Sequence, residues 1–437
     1  MASHCQTYKD SCLGQLLERG PMSVIHSVGL FQLWREKYPD WQSLCAFLES
    51  EEGGYLRIMD ESDTTCIIRY DKGHSRMELP HVRWCRSIIW DKLRHCPLSV
   101  APPKASIEIF PYTDMGITEA IDKINRGQLT VEKYTDGFMI QVYQVKGDST
   151  VQIATRSKRD ASGTFYSAKT FRTLFLDAYE GDCNELAMSE WDKEGTDEEG
   201  TDRVVARFWS YMVQHPEHRV VTPVPSARIH LIQRGQIDIT GRVSLWNGFP
   251  SLSLKTVLSD SQASDETLLE CVHRISQTRP WWFRGIVIKD TSGERWRFRS
   301  EKYMAIQSLR GSESNTYERY ARIFTQNLSG TYFEYYPEDI IPFSLCGVFI
   351  NDTVHTLYRL YHTVHVRRTS TLAQVHRVYR HHLYGIHGIY LSRLRPVEKW
   401  VTIHDIRMYL MSQPPSRVAF LIRHHQEEYH SRVAQVV

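Results

Sequence analysis

The chain has 437 residues, with 53 lysines and arginines against 51 aspartates and glutamates, a net charge of +2. Its length is enough for two or three domains, and its composition (41% hydrophobic, 24% charged) is that of an ordinary globular protein. No uninterrupted apolar run reaches the roughly 18 residues of a transmembrane helix, and the N-terminus lacks the apolar core of a signal peptide. The nine cysteines form no CxxC pair. We therefore expect reduced thiols in the cytoplasm, which excludes a disulfide scaffold and a zinc-finger site.

The predicted elements form a β-rich body followed by helices. Residues 1–50 are predicted to be a helical N-terminal extension, because apolar residues recur there at spacings of three and four. From Tyr55 the period shifts towards two, and "GFMIQVYQV" with "STVQIATRS" predicts a β-hairpin. After Arg299 the period is helical to the end. The predicted fold is α+β, with antiparallel sheets and flanking helices at residues 51–310 and an all-helical domain at residues 311–437.

The charge is unevenly distributed along the chain. From Asn351 to Val437 there are 12 lysines and arginines against 5 aspartates and glutamates, a balance of +7. The first 350 residues carry 41 basic against 46 acidic side chains, a balance of −5. A basic terminal module on a mildly acidic body indicates a polyanionic partner. A solvated basic helix face is the alternative explanation of the same pattern.

The stretch "GIVIKDTSGERWRFRS" predicts a second hairpin. "GIVIK" and "RWRFR" both alternate, and "DTSGE" between them supplies a turn. If the strands pair, one face presents Lys289, Arg297 and Arg299 together. These like charges repel each other unless an anion lies between them, and phosphate is the anion that arginine binds bidentately. An ordinary solvated sheet face is the alternative.

In "VEKYTDGFMIQVY", Lys133 stands three residues before an Asp-Gly pair that opens an alternating strand. A lysine just ahead of a strand is usually solvated, but beside a carboxylate and a glycine it can be a nucleophile. Near the predicted cationic face its ammonium would be disfavoured and its pKa would fall. Asp136 could accept a hydrogen bond or help to position a metal, and Gly137 would let the backbone approach a ligand closely.

Taken together, these stretches resemble the covalent nucleotidyltransferase superfamily of ATP-dependent ligases and capping enzymes. Within it the chain is most similar to the phage-type RNA ligase 1 group and its relatives in large DNA viruses. The resemblance covers roughly residues 55–310. It is carried by motifs in the expected order, which are "VRWCRSIIWD" with "VAPPKA", "EKYTDG", "QIATRS", "SYMVQHPEHRVV", "RGIVIK" and "RFRSEKYMAIQSLRG".

The resemblance implies a role for particular residues. Lys133 would become adenylated, and Tyr211 would stack on the adenine. The remaining contacts to ATP would come from Arg86, Lys104, Asp136, Gly137, Arg156, Lys289, Arg297 and Arg299. ATP and Mg²⁺ are the implied cofactors, and no residue is assigned as a metal ligand.

The implied function is that of an ATP-dependent RNA ligase that joins 5′-phosphate and 3′-hydroxyl RNA ends through a lysyl-AMP intermediate in RNA repair. Residues 51–310 would be the adenylating domain, and residues 311–437 would bind the RNA, for example a nicked tRNA. We expect a monomer without a membrane partner. We expect it in the cytoplasm, which would be the host cytoplasm if the protein is viral.

The sequence departs from the family's pattern at four places. One extra residue separates Lys133 from Asp136, since the usual first motif is KxDG. Met212 and Arg284 stand where the third and fourth motifs usually carry Glu, and Arg297-Phe298-Arg299 replaces the usual KxK.

Two alternatives therefore stay open. One is another covalent nucleotidyltransferase, a DNA ligase or a capping enzyme, although the helical period after Arg299 argues against the OB-fold expected there. The other is a catalytically impaired RNA-binding relative.

Overall fold

The computed structural model describes residues 26–106, 110–179, 203–247 and 265–434. It divides into two compact units, residues 1–304 and residues 305–437. The described part of the predicted N-terminal extension, residues 26–50, belongs to the first unit. Its first 25 residues lie outside the described part of the chain.

The first unit contains all the strands of the described residues. They are β1 (His26–Val28), β2 (Arg57–Met59), β3 (Thr65–Arg69), β4 (Ile88–Asp91), β5 (Cys96–Val100), β6 (Leu129–Lys133), β7 (Phe138–Val145), β8 (Gln152–Ala154), β9 (Val204–Gln214), β10 (Arg228–Asp238), β11 (Val243–Asn247), β12 (Gly285–Asp290) and β13 (Arg295–Arg299). Its helices are α1 (Leu30–Lys37), α2 (Trp41–Glu49), α3 (Pro80–Trp84), α4 (Ile117–Asn125), α5 (Phe171–Tyr179) and α6 (Leu268–Thr278).

Helix α7 (Glu301–Arg310) crosses the division between the two units. The second unit continues with α8 (Thr316–Thr325), α9 (Ser329–Tyr335), α10 (Ile340–Tyr361), α11 (Arg377–Ile389), α12 (Ile403–Met411) and α13 (Pro415–Ala434). No strand occurs among its described residues. The α+β prediction, with antiparallel sheets followed by an all-helical region, is therefore confirmed.

The strands form three sheets, and every strand pair in them is antiparallel. The largest has the order β1-β11-β10-β9-β7-β8, the second β2-β3-β4-β5 and the third β13-β12-β6. Both predicted hairpins are confirmed, since β7 pairs with β8 and β12 with β13. The helical prediction is wrong for His26–Val28, because this segment pairs with β11 as an edge strand.

Each sheet owes its position to the apolar residues that alternate along its strands. One cluster joins α1 and α2 to the four-stranded sheet and one face of the six-stranded sheet. A second lies under α5 on the other face of the six-stranded sheet, where Ile140 and Val142 contact it. A third packs α4 and α6 against one face of the three-stranded sheet. The other face of that small sheet is left for polar side chains.

Buried ion pairs and a long apolar helix characterise the second unit. The Arg310 guanidinium donates to the Asp339 carboxylate at 2.7 Å, and Arg319 approaches the same carboxylate at 3.7 Å. The helical stretch Pro337–Val366 is long and apolar enough to cross a membrane, and 33% of its most apolar window is buried. A single helix of this kind is weak evidence of a membrane span, since core helices of soluble proteins can have the same length and apolar composition. Polar residues such as Ser344 interrupt the stretch, so a search for an uninterrupted apolar run misses it.

Gly137 is required where the chain enters β7. Its φ is +140°, a region that side chains rarely adopt, and an added Cβ would lie 2.2 Å from the Val213 carbonyl oxygen. The close approach of two backbones therefore depends on the missing side chain.

We predict that Gly137→Ala lowers the free energy of unfolding by about 3 kcal/mol or more, because backbone strain and a clash with a main-chain oxygen add together. Gly147→Ala is the matched control, since Gly147 has φ +85° but open space around its Cβ position. It should cost only about 1 kcal/mol. Urea denaturation followed by circular dichroism measures both, and equal costs would contradict this account of Gly137.

Candidate active site

The two faces of the three-stranded sheet differ in chemistry. Ile286 pairs with Lys133 in β6 and with Phe298 in β13, which fixes the register of all three strands. The apolar face carries Leu129, Val131, Ile286, Ile288, Trp296 and Phe298, which pack in the cluster beneath α4 and α6. Because side chains alternate, the opposite face carries Glu132, Lys289, Arg295, Arg297 and Arg299. The prediction that the arginines of "RWRFR" share one face is confirmed.

Six basic side chains gather at this polar face, and we name them the cationic cluster. They are Lys72, Arg86, Lys104, Arg156, Arg297 and Arg299. Burial lowers the pKa of Lys72, and the positive charges of Arg156, Arg297, Arg299 and Arg86 lower it further. Within the described residues, none of the six forms an ion pair with a carboxylate. The Asp71 carboxylate offsets part of the positive charge at Arg156 without forming an ion pair with it. The rest of the cluster's charge has no ion-pair partner among the described residues.

Five members of the cluster are residues that the motif resemblance predicts, namely Arg86, Lys104, Arg156, Arg297 and Arg299. They come from separate parts of the chain and meet only in the fold. Burial lowers the pKa of Lys104, and the charges of Arg297 and Lys72 act in the same direction. The Arg156 guanidinium lies 5.0 Å from the centre of the Tyr70 ring. Lys72 was missed, because nothing in the loop "YDKGHS" marks it as a ligand.

Lys289 differs from the other predicted phosphate contacts. Its side chain is 7% exposed and forms an ion pair with Glu132 on the neighbouring strand. Burial lowers the pKa of Lys289, and the Glu132 carboxylate opposes this shift. The pair neutralises one positive charge at the base of the polar face. A role for Lys289 in binding ATP stays a prediction.

Tyr134 lies among the arginines of the polar face. The Arg284 guanidinium stacks on its ring, 3.9 Å from the ring centre, and donates a 2.9 Å hydrogen bond to the Thr135 carbonyl oxygen. Arg297 donates to the phenol oxygen at 3.3 Å. Burial opposes ionisation of the phenol, but the charges of Arg284, Arg297 and Arg299 outweigh it and lower the pKa of Tyr134 to about 8. Sequence reasoning missed this residue.

Lys133 lies on the other side of the strand end. It follows Leu129 and Val131 in the alternation and lines a cavity of about 380 Å³ together with Gln214, Arg228 and Trp282. Burial lowers the pKa of Lys133, Asp136 opposes the shift, and Arg228 and Arg279 add to it. The predicted direction is thus found, but the cationic cluster is not its cause. The role of Lys133 as nucleophile stays a prediction.

Asp136 anchors the loop that follows β6. One carboxylate oxygen accepts from the Gly137 amide at 2.9 Å and the Tyr303 hydroxyl at 2.7 Å. The other accepts from the amides of Val221 and Thr222 at 3.0 and 2.9 Å. These four donors hold the carboxylate in place, so Asp136 fixes the position of the residues before it. Contact of Asp136 or Gly137 with ATP stays a prediction.

Tyr211 lies in the core. It is 5% exposed and packs beside Phe175 of α5, with ring centres 5.8 Å apart. The next strand position, Met212, faces the opposite side of β9. This placement gives no support to adenine stacking by Tyr211. Trp282 is the aromatic residue that lines the cavity beside Lys133, and it is 43% exposed.

The residues at this site do not fit a metal ion held by the protein. The described residues contain no group of three His, Cys, Asp or Glu side chains that could hold one. The Asp136 carboxylate is occupied by four donors, and Glu132 is paired with Lys289. The described residues therefore offer no set of protein ligands for the predicted Mg²⁺ at this site.

We predict that Tyr134 ionises between about pH 7 and pH 9, because its folded pKa is about 8 and lies below the usual value near 10. The phenolate fraction rises with pH through that range. The absorbance difference at the tyrosinate band between the wild type and Tyr134→Phe measures it. Arg284→Gln should move the transition to higher pH by removing one stabilising charge. A difference spectrum that appears only near pH 10 would contradict the prediction.

No protein-family model matches the chain, and no curated protein matches it. Among solved structures it is similar to an archaeal ATP-dependent RNA ligase, with 13% identity, coverage of 68% of each chain and a TM-score of 0.31. It is also similar to a mutant RNA ligase of Naegleria gruberi solved with ATP and Mn, with 14% identity and a TM-score of 0.26. That match covers 49% of this chain and 63% of the Naegleria chain.

Proposed function

We propose that the protein is an ATP-dependent RNA ligase whose cationic cluster binds the phosphates of ATP and of the RNA end. The observation that carries this proposal is the set of six basic side chains, none of which forms an ion pair with a carboxylate among the described residues. Like charges that lie close together repel each other and destabilise the fold unless an anion balances them. Arginine suits phosphate because its planar guanidinium donates two parallel hydrogen bonds.

The reaction would consist of three in-line displacements at phosphorus. AMP is first transferred from ATP to a side chain of the protein, and pyrophosphate leaves. The 5′-phosphate of the RNA then accepts AMP, and finally a 3′-hydroxyl attacks the activated end and expels AMP. Positioning and charge stabilisation supply most of the catalysis in such reactions. Arg297 and Arg299 can supply charge but not protons, because guanidinium stays protonated.

The second unit would bind the body of the RNA. Residues 351–437 carry a balance of +7, and Arg367, Arg368, Arg393 and Arg395 are all exposed. Basic side chains on helices bind nucleic acid mainly through its phosphates, with release of counterions. A folded RNA with a break, such as a nicked tRNA, is the substrate we propose, and repair of such breaks is the proposed role.

Two departures from the motif pattern favour a second function. Arg284 lies on Tyr134 where the fourth motif usually carries an acid, and Met212 replaces the acid of the third. An RNA-binding protein that retains phosphate recognition without ligation would show these changes. The two functions differ in whether ATP is consumed, so an RNA-joining assay with ATP distinguishes them.

We predict that the intact protein joins RNA carrying a labelled 5′-phosphate and a 3′-hydroxyl when ATP and Mg²⁺ are supplied. Arg297→Ala and Arg299→Ala should each lower the rate of AMP transfer roughly 10- to 150-fold, which corresponds to a charge-assisted hydrogen bond of about 1.5–3 kcal/mol. Replacement by Lys should retain part of the rate, because charge survives but the fork does not.

Arg126→Ala is the matched control for these variants. Arg126 is an exposed arginine that pairs with Asp122 on α4, so its removal should leave the rate unchanged. RNA that binds but is never joined would favour the non-catalytic function. Full activity in both alanine variants would show that the cluster does not bind the reacting phosphates.

We predict that replacing Arg367, Arg368, Arg393 and Arg395 together with Gln flattens the salt dependence of RNA binding. Each lost phosphate contact should reduce the slope of log affinity against log salt by about 0.7 for single-stranded RNA. Fluorescence anisotropy of labelled RNA at several salt concentrations measures the slope. An unchanged slope would remove these four residues from the RNA-binding surface.

A further inference from the structure

We propose that the second unit contains a stacking site for an unpaired RNA base, with Trp400 as the side chain on which the base lies. This site deepens the proposed function, which supplies RNA as the ligand. None of its residues belongs to the cationic cluster. Its features are a series of stacked rings, an exposed indole at one end of the series, and arginines beside it.

Five aromatic side chains of the second unit contact one another in series, and we name them the ring stack. Trp400 stacks on Tyr390 with 16° between the ring planes, and Tyr390 stacks on His387 with 24°. His387 stacks in turn on His365, with ring centres 4.0 Å apart and 12° between the planes. Tyr361 lies at the far end, 5.0 Å from His365. Nearly parallel rings thus follow one another from His365 to Trp400.

Two irregular helix ends position these rings. Helix α10 continues into a π-helical turn at His362–Val366, and α11 continues into another at Tyr390–Leu394. Turns of this kind are rare and occur frequently at functional sites. The Tyr361 hydroxyl and His387 Nδ1 share a hydrogen bond of 3.3 Å, which joins the two helix ends. The ring stack is therefore part of the packing between α10 and α11.

A tight turn brings Trp400 back towards Tyr390. Glu398 has a φ of +56°, a left-handed conformation that is uncommon outside glycine. The next amide, that of Lys399, donates to the Leu394 carbonyl oxygen at 3.0 Å. Unfavourable backbone conformations of this kind occur often at ligand-binding sites. The turn reverses the chain after the second π-helical turn, which allows the indole to reach the ring stack.

The indole of Trp400 is open to solvent. It is 67% exposed, and Tyr390 is its one ring neighbour among the residues that the structure describes. The same segment also exposes Leu391 and Val397. Exposed apolar side chains that lie together often mark a binding surface. With one ring neighbour and most of its surface exposed, the indole can accept a second flat ring.

The charge around the ring stack is positive. Residues 353–397 contain seven arginines and no aspartate or glutamate. Four exposed arginines lie within or directly after the two π-helical turns, namely Arg367, Arg368, Arg393 and Arg395. Flat rings beside positive charge suit a ligand that has both a base and a phosphate. An acidic peptide would use the arginines but would leave the indole without a flat partner.

The base must be an unpaired one. Bases in an RNA duplex are already stacked on each other, and the deep, narrow major groove hides their edges from side chains. Bases in loops, bulges and single strands can turn outwards and stack on aromatic side chains. The ring stack would therefore recognise a single-stranded part of the RNA, while the arginines bind its phosphates.

The test compares the binding of two short single-stranded RNA probes to the intact protein in the absence of ATP. One probe carries a single fluorescent aminopurine base on an otherwise abasic backbone, and the other is abasic throughout, so their phosphates are the same. In the wild type we expect tighter binding of the probe with the base, and quenching of its fluorescence by stacking. Trp400→Ala should weaken binding of that probe roughly 5- to 150-fold, to the level of the abasic probe. The salt dependence should not change, because no charge is lost.

Tyr384→Ala is the matched control, since Tyr384 is 63% exposed on α11 and lies outside the ring stack. It should bind both probes as the wild type does. Trp400→Phe should restore most of the affinity, because a flat ring returns. Thermal melting checks that each variant is folded, and the comparison of the two probes in the wild type decides the matter even if a variant is not.

The outcomes separate this site from RNA ligation. Equal affinity of the wild type for the two probes, or unchanged affinity in folded Trp400→Ala, would overturn the stacking site and leave ligation to its own assay. Binding of polyglutamate that depends on Trp400, without preference for the probe that carries a base, would also overturn it. Base-dependent binding through Trp400 in a protein that joins no RNA would confirm the site and contradict the ligase function.

Discussion

The alternation of side chains in one small sheet is the constraint on which the site depends. Packing Ile286, Ile288 and Trp296 under two helices forces every second residue of the same strands to the other face. Arg295, Arg297 and Arg299 therefore share that face whatever their mutual repulsion. Glu132 balances part of the charge through Lys289. The remaining positive charge is available to an anionic ligand.

Basic residues that are distant in the sequence add positive charge to this face. Arg86 precedes β4 and Arg156 follows β8, and both interact electrostatically with Lys72. Asp136 ties the strand end to the backbone of Val221 and Thr222. The anchored loop holds Tyr134 at the polar face, with Arg284 across its ring. The positive charge of the polar face and the position of Tyr134 thus depend on the same few contacts.

Much of this arrangement can be predicted from the sequence, and the failures have physical causes. The hairpin of β12 and β13 follows from a strict period of two, and the motif order identifies five of the six basic residues. The sequence around Tyr211 does not distinguish a core residue from a pocket residue, because β9 is buried on both faces. Adenine stacking by Tyr211 stays a prediction. The face of β6 on which a residue lies depends on the register of its pairing with β12. The hydrogen bond from the Tyr134 amide to the Gly285 carbonyl oxygen continues this pairing one residue past Lys133. Lys72 joins the cluster only through tertiary folding.

The central claim is that the cationic cluster is a site for a polyphosphate. Calorimetric titration of inorganic triphosphate into the intact protein tests it directly, because this ligand carries the phosphates without adenine or RNA. We expect saturable binding of one triphosphate per chain. The affinity should fall as salt is raised and should weaken roughly tenfold or more in Arg299→Ala, through loss of a charge-assisted contact. The absence of saturable binding, or equal affinity in the variant, would contradict the account.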